Sequence, residues 1–248
     1  MASLVQDTTS STSPASGTAG NVFSSNTTIG NGVLVAVTEF YSGGASDTVT
    51  ALTSSIGTFV FIGRSNTIGA CAIEFWYCAS ATGAAQSITV TWASSSQWTA
   101  CAQEWSSAFS AAGSVNATNG GGTTASASVT PAAGQLAVVG CISGNYITAN
   151  PTTPWVPDTA SSYWNGGTTN AGAGLAHQIA SSGSTLTASW SIFNSQSYDG
   201  LGAALTFASS LRPRPKGLPA AVRRANNYFK RESGLWEPER GFVVPRAA

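Results

Sequence analysis

The chain has 248 residues, of which only 8% are charged, against about 25% in an ordinary soluble domain; this excludes a coiled coil or a long charged helix. Its 8 Trp, 6 Tyr and 10 Phe need a core to pack in and so exclude simple disorder. The formal net charge of zero hides a division. Before residue 211 Arg64 is the only basic residue, set against Asp7, Glu39, Asp47, Glu74, Glu104, Asp158 and Asp199. The stretch 211–248 is strongly basic. Such an asymmetry marks a tail that docks on something.

Residues 1–30 read as a Ser/Thr-rich N-terminal segment with neither the basic n-region nor the apolar h-region of a signal peptide. The expected setting is therefore a cytoplasm, with no membrane span, since no apolar run approaches the length needed to cross. A first β-unit follows over 31–109. Val33-Leu-Val-Ala-Val-Thr-Glu-Phe40 predicts a strand apolar on both faces, Ile73-Glu-Phe-Trp-Tyr-Cys78 another, and Ile88-Thr-Val-Thr-Trp92 one that alternates cleanly. Residues 110–130 read as a Gly/Ser/Thr-rich connector. A second β-unit spans 131–209, with Leu186-Thr-Ala-Ser-Trp190 and Leu201-Gly-Ala-Ala-Leu-Thr-Phe207 alternating in the same way.

The two units are similar to each other. Gly32-Val-Leu-Val-Ala-Val37 aligns with Gly134-Gln-Leu-Ala-Val-Val139, and Ile88–Trp92 with Leu186–Trp190. The expected fold is all-β: a β-sandwich of jelly-roll or Ig-like type built from two internally repeated units, fused as one sandwich or standing as two. The last segment, 210–248, reads as an extended Pro/Arg linker followed by a short helix over about Ala220–Glu232.

The chemistry-bearing residues are few. The four cysteines, at 71, 78, 101 and 141, lack zinc-site spacing and sit in apolar stretches, so they read as small core residues. No metal and no other cofactor is expected. The sole histidine, His177, shares a strand face with Leu175 and Ile179 and reads as structural rather than as part of a Ser-His-Asp system. Glu39, Glu74 and Glu104 each precede an aromatic residue. They read either as outward charges that discourage edge pairing or, distantly, as the carboxylate pair of a glycosidase. Trp155 and Trp164 in a Pro-rich loop, with Trp98 and Tyr198 in the loops of the two units, are candidates for stacking on glycans. In the tail, Arg212, Arg214, Arg223, Arg224, Tyr228, Phe229, Trp236 and Phe242 combine cations with aromatic anchors. That composition suits a protein groove better than nucleic acid.

The run Gly32–Val37, the strand Phe75-Trp-Tyr-Cys-Ala-Ser80, the strand Ile88–Trp92 and the restart Thr130-Pro-Ala-Ala-Gly-Gln-Leu-Ala-Val138 together resemble the two-repeat β-sandwich proteins found among minor structural proteins of tailed bacteriophages. The resemblance covers about residues 20–208. It implies a non-enzymatic virion component assembled in the host cytoplasm: a capsid decoration, head-fibre or minor tail protein, present as a homo-oligomer or in many copies. Its partners would be other virion proteins, and host-surface glycans form the alternative ligand. The tail departs from this pattern and is assigned to docking on its own residues alone.

Overall fold

Why a strand should be apolar on both faces is answered by β3 (Gly32–Phe40). Leu34 and Ala36 project into one hydrophobic cluster and Val33, Val35 and Val37 into another, because successive side chains of a strand point to opposite faces. β10 (Leu136–Ser143) does the same, with Leu136, Val138 and Ile142 on one side and Ala137, Val139 and Cys141 on the other. The computed structural model describes residues 2–12, 18–40, 49–66, 71–83, 87–92, 97–158 and 171–208. Every helix or strand among these residues is a strand, so the fold is all-β.

Around β3 lie β1 (Leu4–Thr12), β5 (Phe59–Ser65), β6 (Cys71–Cys78) and β8 (Gln97–Trp105), in the order β1-β8-β3-β6-β5. A separate sheet pairs β2 (Thr18–Val22), β7 (Ser87–Trp92) and β4 (Val49–Thr53), in the order β2-β7-β4. Phe23, Ile56, Ile88 and Val90 meet the Val33 face of β3 and fill the space between these two sheets.

The remaining strands are β9 (Phe109–Val129), β11 (Ile147–Ala149), β12 (Val156–Pro157), β13 (Gly172–Ile179) and β14 (Leu186–Phe207). β14 is 22 residues long and serves two layers. Leu186–Ser191 pairs with Val129–Thr124 of β9, and Ile192 with Ile147 of β11. After a break in register, Gln196–Phe207 pairs with Gly122–Phe109 of β9, while its Tyr198–Leu205 stretch also pairs with β10. The later part of β14 therefore runs in the order β9-β14-β10-β13-β12, and the earlier part in the order β9-β14-β11.

Strand for strand, this matches the pairing of Leu4–Trp105. β10 stands where β3 does, β13 where β6 does, β12 where β5 does and β11 where β4 does. The two arms of β14 take the places of β7 and β8, and the two arms of β9 those of β1 and β2. The connector expected over 110–130 is thus a strand, and the N-terminal 1–30 segment holds β1 and β2. Neither was recognisable as strand because their apolar content is low. In β9 the Ser, Thr and Asn side chains instead tie its two arms together: Ser114 Oγ donates to the Thr130 carbonyl (2.6 Å), Asn116 Nδ2 to Ser128 Oγ (2.7 Å) and Thr118 Oγ1 to the Ser126 carbonyl (2.9 Å).

The turns match in detail. Gly30 N–H donates to the Ala81 carbonyl (2.9 Å), Ala81 N–H to Asn31 (2.7 Å) and Asn31 N–H to Thr28 (3.1 Å). Gly134, Ala180, Gln135 and Ala132 repeat the set at 2.8, 2.9 and 3.2 Å. Both turns need a glycine, at φ 86° and 83°, a left-handed region costly for other residues. The sequence alignment set Gly134 against Gly32; by hydrogen bonding its counterpart is Gly30.

The sheets around β3 and β10, the two inner sheets, pack face to face through the cluster that holds Leu34 and Leu136, in which Ile73, Phe75 and Trp105 meet Ile142, Leu175 and Leu201.

Candidate functional site

Glu39, Glu74 and Glu104 are strand residues, as the sequence indicated, but they do not point outward from an edge. All three lie on the Val33 face of the central sheet, 2%, 4% and 0% exposed. Their burial follows from the alternation that buries Val33, Val35 and Val37: Val33 faces Glu104 across the ladder and Val37 faces Glu74. Four residues separate those ladder positions along β3, about 13 Å, so Glu104 stands apart from the other two. Its carboxylate accepts from Thr28 N–H (2.7 Å), Asn31 Nδ2 (2.6 Å) and Gln6 Nε2 (2.5 Å), a set that pins the Thr28–Asn31 turn. Glu74 accepts from Trp76 Nε1 (3.0 Å) and Val49 N–H (3.3 Å) and lies 3.6 Å from Arg64 Nη1. Burial nevertheless pushes its carboxyl above the ordinary value, and those three partners hold it down only in part.

A second polar group lies between the two inner sheets. Cys101, Gln103 and Trp105 share a face of β8, and opposite them stand His177 on β13 and Asp158 just beyond β12. The Cys101 thiol donates to Asp158 Oδ2 (2.8 Å), which also accepts from Gln103 Nε2 (2.9 Å). Gln103 Nε2 lies 3.4 Å from His177 Nδ1, and Trp105 Nε1 donates to Gln103 Oε1 (3.2 Å). The Trp105 and His177 rings meet edge to face at 5.1 Å. Burial drives the His177 pKa down, against the pull of the Asp158 charge. The sequence placed His177 on this apolar face; it gave no signal that Asp158, Cys101 and Gln103 would join it.

A cysteine, an aspartate and a histidine are thereby brought together: the thiol donates to the carboxylate, and the imidazole Nδ1 faces the glutamine amide. The adjacent cavity, lined by Thr38, Ile73, Thr99 and Leu175 among others, has room for about one water molecule. At the opposite side of the same interface Ser65 Oγ is placed between Asp199 Oδ1 (2.9 Å) and the Thr118 carbonyl (3.2 Å), tying β5 to β14 and β9. The four cysteines are buried free thiols. Burial, with the Asp199 and Glu39 charges adding, pushes Cys71 up to about 12, and burial drives Cys141 higher still. Such thiols are inert packing groups.

Of the aromatic residues expected to meet glycans, two are core residues. Trp155 is 7% exposed and donates its indole N–H to the Thr187 carbonyl (2.9 Å). Tyr198 lies within β14 rather than in a loop, with its hydroxyl 3.1 Å from Ser126 Oγ and its ring against Gly120, where a Cβ would come within 2.7 Å of the hydroxyl. Neither offers a ring face to solvent. Trp98 belongs to β8 rather than to a loop. Trp164 lies outside the described residues. So do the tail residues Arg212, Arg214, Arg223, Arg224, Tyr228, Phe229, Trp236 and Phe242. Among the described residues, the large aromatic rings that are exposed were not singled out by sequence: Phe61, edge to face with Trp76, and Phe193, stacked on Tyr146.

No protein-family model, curated protein or solved structure matches the chain.

Proposed function

We propose that residues 2–208 are two jelly-roll β-sandwiches, copies of one repeated unit fused through their larger sheets, and that the protein is a non-enzymatic structural component of a virion. In this reading the body is a display module, a capsid decoration, head-fibre or minor tail protein, and the basic aromatic tail over 210–248 anchors it to the particle in many copies. Arg212, Arg214, Arg223 and Arg224 supply charge complementarity, and Tyr228, Phe229, Trp236 and Phe242 fill apolar pockets on the scaffold.

The reading is carried by how the body uses its reactive groups. Glu104, Asp158, Asp199, Cys101 and His177 are buried and engaged in contacts that hold strands and layers together, a use that serves rigidity rather than turnover. The matched turns at Gly30 and Gly134 support the repeat, and two strand-matched halves sharing one interior support a rigid body suited to display.

Quantitative mass spectrometry of particles sedimented from the source lysate tests the proposal. The chain should co-sediment at a fixed ratio to the most abundant coat protein. Removing residues 210–248 should abolish that association while leaving the unfolding transition of the body in place. A full-length chain that stays in the soluble fraction, or normal incorporation of the truncated one, overturns the assignment.

A further inference from the structure

We propose that the tip formed by Tyr146 and Phe193 is a binding site for a neutral glycan. The inference does not depend on the virion reading.

The site is made by a local irregularity. Ser191 pairs with Thr124 and Gln196 with Gly122, so four residues of β14 stand opposite the single Thr123 of β9. Insertions of this kind re-aim side chains and recur beside functional sites. Ile192 turns into the core, 3% exposed, and Phe193 turns out, 53% exposed. Two contacts hold Phe193 in place: its N–H donates to the Tyr146 carbonyl (3.1 Å), and the two rings stack with centroids 4.5 Å apart and planes 20° from parallel. One face of the Phe193 ring is therefore backed by Tyr146 and the other is presented to solvent by a fixed backbone.

The chemistry around the ring narrows the ligand. Asn194, Ser195, Gln196 and Ser197 follow it and are all exposed, with Thr123 exposed opposite. From Phe109 to Ala208 the only ionisable acids or bases besides His177 and the weakly acidic Tyr and Cys side chains are Asp158 and Asp199, and both are buried, at 2% and 0%. This surface therefore offers no fixed charge to a phosphate, a nucleic acid or an acidic peptide. A ring face carries negative quadrupole density, which attracts the weakly positive C–H groups on one side of a pyranose. The surrounding amides and hydroxyls can bond the sugar's hydroxyls. Among the described residues, the other large exposed apolar side chains of this half, Val115 and Val156, belong to β9 and β12 and not to the tip. The apolar area that the described residues offer here is thus one ring pair, far below what a stable protein interface buries.

The test titrates the full-length chain with neutral short oligosaccharides of glucose, mannose, galactose and N-acetylglucosamine, read by calorimetry, alongside the Phe193→Ala and Phe193→Trp variants. Saturable binding to at least one of them is expected. Phe193→Ala should weaken it about tenfold or more, Phe193→Trp should retain it, and neither should move the thermal transition. Absence of binding across the panel at millimolar sugar overturns the proposal, as does binding unchanged in Phe193→Ala. Sedimentation equilibrium supplies the remaining arm: a dimer of the wild-type chain that Phe193→Ala dissociates assigns the tip to self-association instead.

Discussion

The halves Leu4–Trp105 and Phe109–Phe207 share a strand-pairing order and share almost none of the chemistry inside it. Aligned along the ladders from the matched turns at Gly30 and Gly134, Glu39, Glu74 and Glu104 of the first half correspond to Ser143, Gly174 and Ala204 of the second. The first half's outer core is mostly aliphatic around Phe23, with carboxylates at its margins. The second's is built from Trp155, Trp190, Tyr198 and small residues. The difference reaches the backbone. Ala100 fits in the first half, whereas at its counterpart Gly200 a Cβ would come within 2.5 Å of the Ser126 carbonyl. What the halves keep in common is alternation, the glycine turns and a few edge hydrogen bonds. Those features specify the pairing, and the volume between the sheets can be filled in more than one way.

The largest expected effect tests whether the carboxylates carry stability that the second half does without. Asn31 Nδ2 donates to Glu104, and at the matched turn Gln135 Nε2 donates to Thr206 Oγ1 (2.7 Å). Glu104→Ala leaves the Thr28, Asn31 and Gln6 donors facing a fully buried void, at a cost of about 3 kcal/mol. Thr206→Ala removes one part-buried bond and should cost about 1 kcal/mol or less. Urea denaturation of the full-length variants measures both midpoints. Equal losses would mean that Glu104 is no more than another turn contact.

A smaller effect separates the halves by pH. His177 has its pKa lowered in the fold from an ordinary 6.5. Below pH 6.5 the unfolded chain binds a proton that the folded one refuses, so stability falls as pH drops through that window. Glu74 is raised from 4.5. Above pH 4.5 the folded chain keeps a proton that the unfolded one has lost, and stability falls as pH rises toward the elevated value. In melting curves across this range, His177→Asn should flatten the acid-side loss and Glu74→Gln the loss on the rising side, each by a few degrees. A profile left unchanged by His177→Asn would place the acid sensitivity elsewhere.

The sequence showed those features that the halves hold in common at their centres. The doubly apolar runs at Val33 and Leu136 are the middle strands, and the alternation at Ile88 and Leu186 marks corresponding strands of the two outer layers. It hid the edges, since β1, β2 and β9 are poor in apolar residues, and the hydroxyl and amide bonds that tie in β1 and β9 leave no periodicity to read. It also hid which polar residues turn inward. Glu104 and Asp158 are buried with partners such as Asn31 and Gln103 that arrive from distant turns and strands. Trp155 does lie between β11 and β12, but with its ring buried. Tyr198 reads as a loop aromatic because Leu186–Phe207 reads as two strands with a loop between them, when it is one strand broken in register just ahead of Tyr198. Phe193 sits in that break, where periodicity fails by construction.

The finest comparison is between two single hydrogen bonds. Thr8 Oγ1 donates to the Val22 carbonyl (2.9 Å), joining β1 to the end of β2. Ser114 Oγ donates to the Thr130 carbonyl (2.6 Å), joining the first arm of β9 to the end of the second. Val22 pairs with Ser87 just before Ile88, and Thr130 reaches Thr185, just before Leu186, through a 2.8 Å hydroxyl contact. The two acceptors thus occupy corresponding places in the two pairing schemes. Both bonds are exposed, so each should be worth about 0.5 kcal/mol. Thr8→Val and Ser114→Ala should therefore lower stability by similar small amounts, and the losses should add in the double variant if the sites are independent. A Ser114→Ala loss several times that of Thr8→Val would show that the glycine-rich edge of the second half leans on its hydroxyls where the first half does not. The shared scaffold would then be held at its edges by unequal means.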